Sequence, residues 1–214
     1  MDAIDLDELV HPKQAALLVV DMQNDFCDSQ GSLARSGSDP SMIQAMAPRL
    51  LRLLEAAREA GLPVVHIRTH HSRWTDSEAW LGRLKGRGPV CVPGTWGAEY
   101  YPGFDPLDTE YVVTKHRYSG FLGTDLEQVL RALGVRSVLM TGEATNVCVE
   151  STARDAYMRD FYVAFLSDCT ATTVQPAHEA TLFTMNKHFG KVLTSDEVLT
   201  TWQRTGVLRE AVVA

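Results

Sequence analysis

AALLVV, residues 15–20, is an unbroken apolar run of six that ends abruptly on Asp21. A half-exposed strand alternates polar and apolar side chains. A run with no polar break therefore reads as a strand covered on both faces. Similar short runs are Ala16–Val20 itself, Pro63–Arg68, Tyr111–Thr114, Ser137–Thr141, Tyr162–Leu166 and, weakly, Val192–Leu193. Between them, Ser41–Ala60 carries Met42, Ile43, Met46, Leu50, Leu51 and Leu54 at helical spacing. Thr124–Leu133, Cys148–Arg159, Ala177–His188 and Ser195–Arg204 also read as helices. Gly61 and Gly134 stand where left-handed cap residues belong, and Asp125 and Ser195 where helices start. Buried strands alternating with helices predict an α/β fold. The expected architecture is a three-layer α/β/α sandwich with a mostly parallel central sheet of about six strands.

At 214 residues, one domain spanning 1–214 is the economical reading. The 20 Lys and Arg against 27 Asp and Glu leave a formal charge of −7, with no basic cluster to offset it. That balance argues against a nucleic-acid partner. No apolar run approaches the roughly 18 residues that span a bilayer, which argues against membrane insertion. The acidic start MDAIDLDELV is unlike a secretory signal, and four scattered cysteines do not make a disulfide scaffold, so a cytoplasmic protein is expected. The stretch from His70 to about Thr109 breaks the rhythm and holds Trp74, Trp80 and Trp96. Aperiodic segments of that length are commonly functional. A lid, an active-site wall or a contact between subunits is expected there.

Parallel α/β sheets bind ligands beyond the carboxyl ends of their strands. Three such ends carry reactive groups: Asp21 after the first run, Lys115 after EYVVT, and Cys148 beyond SVLMTG at the start of a helix. A carboxylate, an ammonium and a thiol on one sheet edge are the parts of nucleophilic catalysis. A helix N-terminus and a nearby cation both favour the thiolate, and a carboxylate can accept the thiol proton. Each residue also has an ordinary reading: a turn aspartate, a solvated lysine, a small buried cysteine.

In order and spacing, VVDMQNDF, TKHRYSGF and TGEATNVCVESTARDA resemble the isochorismatase-like cysteine hydrolases, over most of the chain. That superfamily includes nicotinamidases, N-carbamoylsarcosine amidases, biuret hydrolases and ureidoacrylate amidohydrolases. KHRYSGF together with ATNVCVEST looks most like the last. The resemblance implies a cysteine amidohydrolase cleaving a C–N bond in a small ureido or carboxamide substrate through a thioester, releasing ammonia. Asp21 would be the general base, Lys115 the orienting cation and Cys148 the nucleophile. A cis peptide between Glu143 and Ala144 would turn the Ala144 amide into an oxyanion hole with that of Cys148. The family is commonly oligomeric, so a homo-oligomer, dimer or tetramer, is expected. Its alternatives here are an isochorismatase-type vinyl-ether hydrolase and a metal-dependent nicotinamidase.

Phe26, Tyr118 and His70 are candidate substrate contacts. Arg117 can grip a carboxylate, with a structural salt bridge favoured. Gln23 and Asn24 either meet substrate or hold Asp21, and Asn146 is expected to cap the helix bearing Cys148. Glu143 stands where the family generally has an apolar residue. It either faces substrate or forms a salt bridge, the latter slightly favoured. No metal and no cofactor are expected, because Thr69 precedes His70 and His71 where a metal-binding relative has an acidic residue, and no third ligand is evident.

Overall fold

In a computed structural model, residues 4–83 and 88–208 are described. Six strands form one sheet: β1 (Ala15–Val20), β2 (Val64–Thr69), β3 (Tyr111–Lys115), β4 (Ser137–Glu143), β5 (Tyr162–Ala171) and β6 (Lys191–Leu193). Their order is β3-β2-β1-β4-β5-β6, and every pairing is parallel. Chain order reverses direction at β1, where β2 lies on one side and β4 on the other. The crevice at such a reversal is where open α/β sheets hold ligands.

All six residues of β1 are buried, for the reason its composition implies. Leu17 and Val19 face a core shared with the helix α1 (Ser41–Glu59), which contributes Ile43, Met46, Leu50, Leu53 and Leu54. Leu18 and Val20 face the opposite core, with Leu126 and Leu130 of α2 (Leu126–Ala132) and Ala153 and Ala156 of α3 (Glu150–Tyr157). Met185 of α4 (Gln175–His188) joins the second core, and Val198 and Trp202 of α5 (Ser195–Arg204) join the first. Burying each leucine side chain is worth roughly 1.5–3 kcal/mol, so two-sided burial makes β1 the spine of the sheet. Trp202 satisfies its indole by donating Nε1–H to the Val10 carbonyl at 2.7 Å.

Several boundaries moved from the sequence reading. β5 runs five residues beyond Leu166, and α4 starts two residues before Ala177. Ser195 is the first residue of α5. Its cap is Thr194, in a reciprocal capping box with Glu197. The His70–Thr109 stretch contains a short helix, Glu78–Arg83, and a 3-10 turn, Trp96–Ala98; its residues 84–87 lie outside those described.

Candidate active site

Lys115, the last residue of β3, pairs in register with Thr69, the last residue of β2. Paired positions share a face of the sheet, which brings Lys115 Nζ within 2.6 Å of Thr69 Oγ1. The ammonium continues across β2 toward β1 and donates to Asp21 Oδ2 at 2.7 Å. Two interstrand gaps of roughly 4.8 Å each separate β3 from β1, so this contact needs a side chain as long as lysine. Thr69 Oγ1 donates in turn to Asp21 Oδ1 at 2.8 Å and closes the triangle.

Asp21 adopts φ 53°, a left-handed conformation uncommon outside glycine that costs about 1–3 kcal/mol. Its amide donates to the Ile67 carbonyl at 2.7 Å, and its own carbonyl accepts from the Gln23 amide at 2.7 Å. Gln23 does not meet the carboxylate. Its side chain bridges the backbone of Thr69 and Ala98, while Asn24 donates to the Trp96 carbonyl, so both residues tie the aperiodic stretch to the sheet.

Cys148 comes from the other side of the crevice. β4 ends on Glu143, the Glu143–Ala144 peptide is cis, and Thr145–Val149 form a π-helical turn that leads into α3. Such turns are frequent at functional sites. Cys148 Sγ lies 3.5 Å from Lys115 Nζ, so one ammonium touches both the carboxylate and the sulfur. Asn146 lies inside this turn and caps nothing. The residue at the cap position is Ala144, which has no side-chain acceptor.

Asp21 and Lys115 are both buried, with side-chain exposures of 0% and 1%. Burial opposes the charge on Lys115. The Asp21 carboxylate and the Cys148 sulfur outweigh it and hold the ammonium well above the usual lysine range. For Cys148 the balance is reversed. Burial pushes the thiol well above its ordinary range, Lys115 pulls it down only in part, and Asp21 and Glu143 push it up further. Desolvation thus opposes the pull toward thiolate that the helix start and the cation exert.

Lys115 and Cys148 face a cavity of about 340 Å³; Asp21, fully buried, is not among the residues that line it. Phe26, Tyr118, Ala144 and Cys148 line it, as do Thr69, Lys115, Arg117 and Glu143. His70 does not. It lines a separate cleft with Arg68 and Tyr100, while its neighbour His71 faces the cavity. Adjacent residues in extended chain point to opposite sides, so only one of the two histidines can serve either space. His71 Nδ1 is 2.9 Å from Asp76 Oδ1, and its ring packs on Trp80, which packs on Tyr118. The aperiodic stretch thus supplies a wall of the cavity. Arg117 lines it too, without a salt bridge among the described residues: its guanidinium donates to the Thr75 and His116 carbonyls and lies over Trp80. Glu143 also makes no salt bridge among them, which corrects the reading favoured from sequence; it is 4% exposed and faces the cavity. Sequence reasoning missed Thr69, although its position at a fourth strand end was the available signal.

The isochorismatase domain model matches residues 15–197. The ureidoacrylate amidohydrolase RutB of Variovorax paradoxus is 34% identical over 205 residues, covering 88% of this chain and 81% of the relative. A cysteine hydrolase from Pseudomonas syringae pv. phaseolicola superposes with a TM-score of 0.82 at 28% identity, covering 95% of this chain and 99% of that one. N-carbamoylsarcosine amidase from Thermoplasma acidophilum gives a TM-score of 0.72 at 30% identity, covering 86% and 97%. Fold and relatives define the class, a hydrolase acting on C–N bonds outside peptides and built on a six-stranded parallel sheet. The chain belongs to the isochorismatase family.

Proposed function

We propose that this protein is a cysteine-dependent amidohydrolase of small ureido or carboxamide compounds, with Cys148 as nucleophile, Asp21 as proton carrier and Lys115 as the cation between them. The observation that carries the reading is the position of Lys115 Nζ, 2.7 Å from Asp21 Oδ2 and 3.5 Å from Cys148 Sγ at the cavity wall. Because burial favours the protonated thiol, attack and deprotonation go together. Cys148 Sγ bonds to the substrate carbonyl carbon as its proton passes to Asp21, with Lys115 holding the charges that develop. The carbonyl oxygen becomes an oxyanion facing the backbone amides of Ala144 and Cys148.

Asp21 then returns the proton to the nitrogen as the C–N bond breaks. A carboxamide loses ammonia and leaves an acyl thioester. A ureido compound loses its substituted amine and leaves a carbamoyl thioester. Water, giving a proton to Asp21, attacks the thioester and regenerates the thiol; carbamic acid so formed breaks down to carbon dioxide and ammonia. Phe26 and Tyr118 pack against the substrate in this scheme. We further propose a homo-oligomer in the cytoplasm, the former in keeping with two exposed tryptophans of the aperiodic stretch, Trp74 and Trp96. No described helix is long and apolar enough to cross a membrane.

The test is ammonia release across ureidoacrylate, biuret, N-carbamoyl amino acids, nicotinamide and simple aliphatic amides. The reading expects turnover of at least one ureido or carboxamide compound. Ammonia from none of them would overturn it.

A further inference from the structure

Glu143 ends β4 abreast of Asp21. The register pairs Gly142 with Val20, and each acid is the next residue along. Gly142 allows this close approach: at its φ of 104°, a Cβ would stand 2.0 Å from the Val20 carbonyl oxygen. The Glu143 side chain lines the same cavity as Ala144 and Cys148. It is 4% exposed, and it makes no hydrogen bond or ion pair among the described residues. The nearby cation, Lys115, is already engaged by Asp21, Thr69 and Cys148.

A buried polar group without a partner is costly, and a ligand that supplies the partner recovers that cost on binding. We propose that Glu143 is a substrate-recognition residue whose carboxyl accepts a hydrogen bond from the N–H of the uncharged carbamoyl or carboxamide group presented to Cys148. The inference rests on the amidohydrolase reading and deepens it by naming the group that the wall selects.

Charge supports the choice of an uncharged partner. Burial, then the Asp21 carboxylate, push the Glu143 acid well above the usual range, and Lys115 offsets this only in part. Burial thus favours the protonated, uncharged acid. Its carbonyl oxygen accepts from an amide N–H without bringing a second negative charge beside Asp21. A glutamine in its place offers the same acceptor on the same stem; a methionine fills similar space and offers none.

Alkylation of Cys148 tests this without requiring turnover, so its outcome is independent of the substrate screen. Iodoacetamide carries a primary carboxamide; methyl methanethiosulfonate reaches the same sulfur without one. Rates are read at Cys148 by peptide mass mapping in the wild type, Glu143→Gln and Glu143→Met, with circular dichroism as the folding control. Glu143→Met is expected to slow iodoacetamide labelling about tenfold relative to methyl methanethiosulfonate, and Glu143→Gln to keep that ratio within about threefold of wild type. An unchanged ratio in Glu143→Met overturns the proposal, as does a Gln variant as impaired as the Met variant. Should Glu143→Met fail to fold, protection in the wild type and Glu143→Gln decides. Acetamide must slow methyl methanethiosulfonate labelling in both, and its failure to do so overturns the proposal equally.

Discussion

The hydroxyl of Thr69 sits 2.6 Å from Lys115 Nζ because the two residues are register partners at the ends of β2 and β3. The same hydroxyl donates to Asp21 at 2.8 Å, so it fixes the distance between the proton carrier and the cation. Thr69→Val keeps the shape and removes both bonds. We expect kcat to fall about tenfold and unfolding free energy to drop by about 1–2 kcal/mol, read from steady-state rates and urea titration. Wild-type kcat in this variant would show the hydroxyl to be idle.

Asp21→Asn removes the proposed proton carrier and leaves Lys115 buried without its counter-charge. General acid–base catalysis commonly contributes about 10²–10⁴-fold, and kcat is expected to fall by that order. Stability is expected to fall by about 3–5 kcal/mol, because breaking a buried pair strands the remaining charge. A variant that turns over as fast as the wild type removes Asp21 from the mechanism.

Lys115→Met takes away the one influence that pulls the Cys148 thiol down without adding a new charge. The thiol then titrates still higher, and its alkylation by iodoacetamide at neutral pH slows. Labelling rates followed against pH are expected to rise later in the variant than in the wild type. Identical profiles would mean that the 3.5 Å contact carries no electrostatic coupling.

Glu143 makes stability depend on pH. Its folded-state titration lies above the unfolded value of about 4.3, so the folded chain keeps a proton that the unfolded chain has lost. That contribution is complete below the unfolded value and disappears as pH rises through the folded one. Glu143→Gln has no such proton. Its stability advantage over the wild type is expected to grow as pH rises above the unfolded value of about 4.3 in thermal or urea unfolding. A constant difference would place the acid in its ordinary range.

The layered fold was legible because β1 is apolar throughout and β4 carries the apolar run Val138–Met140, and two-sided burial leaves that mark in sequence. Asp21, Lys115 and Cys148 were legible as a set because each stands at or beyond the end of a strand, and parallel strands bring their ends to one edge. What stayed hidden depended on direction rather than order. The choice between His70 and His71 turns on which way a side chain points past the end of β2, and helical or strand period does not extend there. Thr69 carries no reactive group of its own; its importance comes from cross-strand register with Lys115. How strongly burial opposes the Cys148 thiolate stayed hidden, because burial cannot be weighed against a neighbouring charge before the depth of the site is known. The Trp80 wall lay in a stretch whose short elements fall below the length at which period is readable.

Most directly at stake is the sulfur. Ammonia release by Cys148→Ser, measured on whichever ureido or carboxamide compound the wild type turns over, is expected to fall to the uncatalysed background while the fold persists. A rate within tenfold of wild type would contradict covalent catalysis by Cys148.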